Sequence, residues 1–418
     1  MEAHYVLIGN SAATLAAIDG IRRYDRTGSI AVINREPGPA YSRVALPYYV
    51  AGEMALDDLL IRQPAAYRTQ GVELLDGATV RGIDAGAEQV ILADGRKVRY
   101  RKLLVGTGSV CVTPAIRGLD TITPHYLWTL DDAKRMKAAA QAAHTAIVIG
   151  GGFIGMLIAE ALRKLKLRLT IVEMTPQLLP QLLDVEGGKR FRQAVQDEGV
   201  TLRLGARVDA VARKNGRVAV TLAGGTTLLT DLVAVAAGVK PNVSCVAGGP
   251  CKVGTGILTD ECLRTNCANI YAAGDVAEAP DFLSPDRAIH AIWPAAVDQG
   301  RVAGAAMAGA RVTYPGSLGM NVVELFGVTL AQVGRFKEDP TDDVELLGAG
   351  RASAYRKVVV GRNGQLVGAM YLGEAQGVAE MGVLQGLIKR RAKRQEVAGH
   401  GHPQYTYAAA VRTAAHHG

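Results

Sequence analysis

An α/β fold with two strand–turn–helix units and an α+β segment behind them is what this sequence predicts. Three observations carry that prediction. The composition is 49% hydrophobic with only 5% aromatic residues and 49 glycines, as expected of a chain built from Val, Ile, Leu and Ala with many tight turns. Two apolar runs, Tyr5–Ile8 and Ile147–Ile149, each end in a small-residue turn that opens a helical stretch. From Met320 the pattern changes to alternating short strands followed by one helix. The 418 residues are enough for two or three domains.

The unit at 147–173 is the more complete. Its strand runs into Gly150-x-Gly152-x-x-Gly155, a helical stretch follows, and a second apolar strand ends on Glu173. Gly150 permits the tight turn, Gly152 leaves no side chain between backbone and a pyrophosphate, and Gly155 lets the helix pack close to its strand. The helix N-terminus, opened by Phe153 and Ile154, then faces the phosphates with free N–H groups and a positive dipole end. Glu173 stands at the strand tip, where a carboxylate accepts from both ribose hydroxyls and repels a 2′-phosphate. The sequence therefore predicts NADH over NADPH.

The first unit is a degraded version of the same device. Gly9 is kept, Ser11 stands where the middle glycine would be, Ala12 follows, and Ala13 and Thr14 surround the last small position. The helix runs to about Tyr24 and the next strand from Ser29 to Ile33. As the first of a pair, this unit reads as FAD binding. Asn34 holds the strand-tip position and Glu36 lies two further on; Glu36 is favoured as the ribose acid.

Residues 72–110 alternate short strands with turns and end in Leu103-Leu-Val-Gly-Thr107-Gly108-Ser109, and 123–130 reads as a crossover. A helix is expected near Glu186–Glu198, then a hairpin over Val208–Leu222 turning at Asn215-Gly216, and a strand from Leu232 closing at Gly238. Asn269–Ala272 is a strand into Ala273-Gly274-Asp275, and a helix begins around Ile292-Trp293-Pro294 and continues to about Met307. Strands follow at Val322–Phe326, Ala331–Phe336, Tyr355–Gly361 and Leu366–Tyr371, and one helix from Val378 to about Lys393.

The net charge is +8, with much of the excess in Lys389-Arg-Arg-Ala-Lys-Arg394. That cluster reads as a solvated helix end or as a dock for an acidic protein partner; no aromatics interleave it, so nucleic-acid binding is not indicated. The five cysteines, Cys111, Cys245, Cys251, Cys262 and Cys267, contain no CxxC pair, so no metal site is expected and they are read as reduced thiols. No apolar run approaches the ~20 residues of a membrane span, and no basic leader precedes the first strand, so a cytoplasmic protein is expected.

The order Gly9, Thr107-Gly108, Gly150-x-Gly152-x-x-Gly155, Gly238…Pro241-Asn242 and Ala273-Gly274-Asp275 resembles the pyridine nucleotide–disulfide oxidoreductase superfamily over nearly the whole chain. Ala40-Tyr-Ser-Arg43, Leu46-Pro-Tyr-Tyr49 and Trp293-Pro294…Gln299-Gly300 carry a closer resemblance to rubredoxin and ferredoxin reductases and to the flavin module of nitrite reductase. The resemblance implies two Rossmann-like domains. The FAD domain is split over 1–112 and 240–318, the NAD domain is inserted at 113–239, and 320–418 is an interface domain that often dimerises. It implies FAD pyrophosphate at the Gly9 turn, Thr107 and Gly108 near the flavin side, the Val80 backbone at the adenine, and Arg43 among the cofactor-binding residues. Asp275 after Gly274 would hold the ribityl or phosphate region, with the helix of Pro294 beneath the isoalloxazine. Hydride transfer needs nicotinamide C4 and flavin N5 held nearly in contact, so two binding units must converge on one crevice.

Three departures from the family pattern bear on the acceptor. Val44-Ala45-Leu46-Pro47-Tyr48 stands where disulfide-reducing members carry a flavin-side cysteine, and a valine forms neither a thiolate nor a mixed disulfide. Glutathione, lipoamide and CoA-disulfide chemistry by the usual route is thereby excluded unless a distant thiol, Cys111 first, substitutes. Tyr48 and Leu157 replace a lysine–glutamate pair of the ferredoxin-reductase-like members; Tyr48 then either meets the flavin or is a packed core tyrosine. In Gly399-His-Gly-His402-Pro403 the second histidine matches an acid/base residue of lipoamide-dehydrogenase-like members, but Tyr407 stands where its glutamate would be; His402 is either a proton donor or part of a plain tail. The resulting expectation is an FAD-dependent NADH oxidoreductase, a homodimer or part of a complex, passing electrons to a small electron-transfer protein or partner subunit. The alternatives are a flavoprotein subunit of a larger redox complex and a non-catalytic flavoprotein.

Overall fold

The computed structural model describes residues 1–337, 339–340, 342–346 and 354–394. Contacts divide the chain into two units. Met1–Tyr49, Met54–Cys111 and Val239–Leu318 form the first; Val50–Glu53, Val112–Gly238 and the chain from Gly319 onward form the second. The chain thus leaves the first unit after Cys111 and returns to it at Val239.

In chain order the first unit opens with β1 (Glu2–Ile8), α1 (Ala12–Tyr24), β2 (Ile30–Asn34), α2 (Leu46–Ala51), α3 (Pro64–Thr69), β3 (Val72–Asp76), β4 (Val80–Asp84), β5 (Gln89–Leu92), β6 (Lys97–Val105) and β7 (Ser109–Cys111). The inserted stretch carries α4 (Leu130–Ala142), β8 (Thr145–Ile149), α5 (Phe153–Lys164), β9 (Arg168–Glu173), α6 (Val185–Asp197), β10 (Thr201–Leu204), β11 (Val208–Lys214), β12 (Arg217–Leu222), β13 (Thr227–Thr230) and β14 (Leu232–Val235). The first unit resumes with β15 (Val239–Pro241), β16 (Ile270–Ala272) and α7 (Trp293–Met307), with short strand pieces at Ile257–Leu258, Ala277–Pro280 and Arg287–Ala288 between them. β17 (Met320–Leu325), β18 (Val328–Gly334), β19 (Asp343–Leu346), β20 (Tyr355–Val360), β21 (Leu366–Gly373) and α8 (Val378–Lys389) follow.

In the first unit β3, β2, β1, β6 and β16 run parallel; β5 pairs antiparallel with β6, and β4 pairs antiparallel with β5 at the sheet's edge. Strand β1 lies between β2 and β6, so both its edges are hydrogen-bonded, and its second half, Tyr5 to Ile8, is buried throughout, with Val6 and Leu7 fully so. The second unit holds a parallel sheet in the order β10-β9-β8-β14, an antiparallel three-stranded sheet, β11-β12-β13, and an antiparallel five-stranded sheet in the order β17-β18-β21-β20-β19 that α8 packs against. These are two Rossmann-like sheets and an α+β segment. The Asn215-Gly216 turn lies where the sequence puts it, with φ of 49° and 77°, the left-handed pair a two-residue hairpin needs.

Several elements differ from the sequence reading. α4 was absent from it, although Thr129 and Asp132 form a reciprocal capping box at its start. The short helices α2 and α3 and the strand β19 were also unforeseen. α8 stops at Lys389 rather than running on to Lys393. Arg391 turns left-handed at φ 56°, Ala392 is buried, and Lys393 pairs with Gln365. The basic cluster is therefore a helix end followed by a returning strand-like segment, not one solvated helix.

Two packing devices fix the units internally. In the first, α7 crosses α1 at backbone contact distance: a Cβ on Gly300 would lie 2.0 Å from the Ala13 carbonyl oxygen, and one on Gly304 2.1 Å from that of Ala17. In the second, Asp184 caps α6 through Gly187 N and also accepts from Tyr355 Oη at 2.8 Å and Lys357 Nζ at 3.0 Å, with Lys357 only 3% exposed. Burial pushes the Asp184 carboxyl up, but these three donors outweigh it and hold it below the usual carboxylate range.

Gly304→Ala should destabilise the protein by about 1–3 kcal/mol, because the methyl group meets backbone that cannot rotate away. Gly382→Ala is the control: it is exposed within α8 with open space around it, so the same chemical change should stabilise by up to about 1 kcal/mol. Urea unfolding of both variants measures the opposite signs.

Candidate functional site

Two strand-to-helix turns and the residues around them make up the candidate sites, one in each unit. In the second unit β8 ends at Gly150, whose φ is 112°; a Cβ there would be 2.2 Å from the Ala236 carbonyl oxygen. A Cβ on Gly155 would be 2.0 Å from the Gly150 carbonyl oxygen, so helix α5 and its turn touch through bare backbone. Gly152 is different. It is the N-cap of α5 at φ −77°, and nothing lies within 4 Å of where its Cβ would be. Its lack of a side chain leaves open space rather than satisfying the fold. Phe153 and Ile154 open the first turn of α5, which carries no acidic residue to occupy its free N–H groups. Glu173, at the end of β9, accepts from Gly151 N at 2.6 Å with one oxygen and from Thr175 N at 2.7 Å with the other. The carboxylate thus ties strand tip to turn while each oxygen keeps a lone pair for a further donor. Gly238 ends the inserted stretch at φ 103°.

In the first unit Gly9 has φ 104°, and a Cβ there would be 2.2 Å from the Gly106 carbonyl oxygen. Ser11 is the N-cap of α1 without a side-chain capping bond, Ala12 and Ala13 are buried in the first turn, and no acid is present there. Two buried side-chain atoms at this turn, Asn10 Nδ2 and Thr14 Oγ1, have no hydrogen-bond partner among the described residues. Buried polar atoms are almost always satisfied. Two orphans beside an uncapped helix N-terminus suit a polar, anionic ligand at the turn.

Around this turn, Glu36 accepts from Tyr41 Oη and Arg43 Nη2, and the Arg43 guanidinium lies 5.2 Å over the Tyr41 ring. Asn34, the other candidate, is buried and bonded to the Gly38 carbonyl and Asp76. Asp275 accepts from Ser109 Oγ at 2.6 Å; burial pushes its carboxyl up, opposed by that bond and by the Arg43 charge. Gly274 N donates at 2.8 Å to Gln299 Oε1 on α7, just beyond the Pro294 turn that starts the helix. Thr107 Oγ1 donates to the Asn242 carbonyl at 2.7 Å and Gly108 O accepts from Asn242 N at 2.8 Å, so the two chain crossings near β7 and β15 are laced together. Val80 opens β4, half-buried and paired with Leu92.

Tyr48 lies on α2 and is 41% exposed, which overturns its reading as a packed core tyrosine. Val44 is 59% exposed on the preceding turn. His402 lies outside the described residues. Sequence reasoning missed the pair His290 Nε2···Asp281 Oδ2 at 2.6 Å, which no motif spacing announces. It also missed that Tyr41 and Arg43 converge on Glu36. Among the described residues there is no cluster of three or more metal-ligating side chains, and no helix is long and apolar enough to cross a membrane.

Residues 3–300 match the family described as pyridine nucleotide-disulphide oxidoreductase. The chain belongs to that family. It is similar to the NADH-dependent phenylglyoxylate dehydrogenase subunit epsilon of Aromatoleum evansii, 35% identical over 93% of this chain and 91% of the relative. It is also similar to rhodocoxin reductase of Rhodococcus erythropolis, 32% identical over 66% of this chain and 65% of the relative. Among solved structures it is similar to a NAD-dependent persulfide reductase from A. fulgidus, with TM-score 0.87 and 26% identity, covering 96% of this chain and 79% of that one. The chain is accordingly an FAD-dependent oxidoreductase of pyridine nucleotide, with FAD and NADH as its cofactors.

The glycines of the second turn separate fold from binding. Gly150→Ala should cost about 1–3 kcal/mol through its positive φ and the Ala236 carbonyl, while Gly152→Ala should change stability by less than about 0.5 kcal/mol. Thermal and urea unfolding of the two variants provide the check.

Proposed function

We propose that this chain is an NADH-dependent flavin reductase whose acceptor is a protein, either a small electron-transfer protein or a partner subunit, and that it works without a redox disulfide. The observation that carries this reading is Val44: an exposed valine stands where a cysteine would have to be. When bound, FAD supplies the step from two-electron hydride chemistry to an acceptor that takes electrons singly or in pairs. The first unit is assigned to FAD. Gly9, Ser11, Ala12 and Ala13 receive the pyrophosphate, with Asn10 and Thr14 as additional donors, and Glu36 accepts from the ribose beside Arg43. Val80 borders the adenine. Thr107, Gly108, Gly274, Asp275 and Pro294 line the remainder. The inserted part of the second unit is assigned to NADH through Gly150, Gly152, Phe153, Ile154, Gly155, Glu173 and Gly238, and its last part to dimer contact. The exposed apolar residues Val44, Tyr48, Leu56 and Ile61 suit contact with an acceptor protein.

A second reading, the flavoprotein subunit of a larger redox complex, is favoured by one observation. The 35% identical relative, which this chain matches over 91% of its length, is named as a subunit of an NADH-dependent dehydrogenase. Native mass measurement of the protein from its source separates the two.

Glu173 decides the nicotinamide. A carboxylate against a 2′-phosphate is repulsive, so NADH should reduce the flavin at least about tenfold more efficiently than NADPH. Glu173→Ala should narrow that ratio, and Gly152→Ala should raise the KM for NADH about tenfold or more at unchanged Tm, because its methyl group enters the phosphate cradle. Anaerobic stopped-flow reduction measures both, and equal use of NADPH by the unaltered protein would refute the assignment. Steady turnover with glutathione or CoA disulfide would refute the disulfide-free reading.

A further inference from the structure

The first unit holds a pair of thiols that neither nucleotide turn uses. Cys251 Sγ lies 3.1 Å from Cys267 Sγ, about 1 Å beyond a disulfide bond length. Their approach is built rather than incidental. The Asn266 side chain grips both sides of Cys251: its Oδ1 accepts from Lys252 N at 2.6 Å and its Nδ2 donates to the Pro250 carbonyl at 2.9 Å. Cys267 is held by a tight turn in which its N–H donates to Thr265 Oγ1 at 3.1 Å and its carbonyl accepts from Ile270 N at 3.3 Å. The neighbouring Cys262 has its own partner, donating to the Val312 carbonyl at 3.3 Å.

We propose that Cys251 and Cys267 are a thiol-modification site that closes to a reversible intramolecular disulfide on meeting a hydroperoxide. Cys267, the more accessible of the two, attacks first: its thiolate takes one peroxide oxygen, the O–O bond breaks, and the other oxygen leaves as hydroxide. Cys251 is 8% exposed, and burial together with the adjacent sulfur pushes its thiol up to about 12, so it waits as a thiol. It then attacks the Cys267 sulfenic sulfur, forming the S–S bond; the leaving hydroxide takes the Cys251 proton and departs as water. Net, two thiols lose two hydrogens and one hydroperoxide is reduced, giving two waters from hydrogen peroxide. The bond staples the loop ahead of β16, the strand that delivers Gly274 and Asp275 to the flavin side. Thiol reductants reopen it.

The test uses the FAD-loaded protein, reduced, desalted and exposed to a small excess of hydrogen peroxide, then alkylated, denatured and digested. The expected result is a fall from five titratable thiols to three, a Cys251–Cys267 cross-linked peptide, a Tm higher by a few degrees, and full recovery with dithiothreitol. Asn266→Ala should slow cross-linking at least about threefold, because the clamp on Cys251 is gone, while alkylation of Cys267 keeps its rate. Cys262→Ser should leave the cross-link intact. The proposal fails if thiols are lost without that peptide, or if the same peptide forms equally fast in urea, where no clamp exists.

Discussion

In the first unit everything around the Gly9 turn depends on how closely α7 approaches α1. Gly300 and Gly304 bring their own backbone against the carbonyls of Ala13 and Ala17, at distances where a single methyl group would collide. Close packing at this scale behaves as a fixed joint, because neither backbone can yield without moving its whole helix. From that joint Gln299 reaches Gly274 N and holds the β16 turn, and the same helix begins at Trp293-Pro294. The N-terminus of α1, the turn carrying Asp275 and the start of α7 are therefore set relative to one another by two glycines.

The second unit uses charge where the first uses contact. Glu173 closes the gap between the tip of β9 and the Gly151 amide, so its carboxylate is oriented before any nucleotide arrives. Under the proposed NADH assignment, preorganisation of this kind would make a selectivity residue out of a structural one, because the oxygen that fixes the turn would also be the charge a 2′-phosphate meets. Farther along the chain, Asp184 combines a helix cap with a pair to buried Lys357, joining α6 to β20 within the same unit.

What was legible in the sequence was local. The glycine turns, the acid at the end of β9 and the Asn215-Gly216 hairpin each declare themselves within a few residues, since their chemistry is a matter of backbone angle or strand length. The Thr129–Asp132 capping box is equally local but no strongly periodic apolar run announces the helix after it: the apolar residues of α4 are mostly alanines, and only three of its residues are buried. The end of α8 was misjudged for a different reason. Lys393 stops being helical to pair with Gln365, a contact that no pattern around it foretells. His290 with Asp281 and Cys251 with Cys267 are of the same kind, side chains joined only after the loops between them have folded. For Glu36 the acid was readable, but its occupation by Tyr41 and Arg43 was not.

The proposed electron route rests on one negative feature at one position: Val44 offers no sulfur between nucleotide and acceptor, so flavin is the sole relay. Anaerobic titration of the holoprotein with NADH, followed by flavin absorbance, tests this directly. The account predicts that bleaching begins with the first addition and is complete at one two-electron equivalent per flavin. A lag in which the first equivalent is consumed while the flavin stays oxidised, persisting in Cys251→Ser, would place a redox disulfide in the path and contradict it.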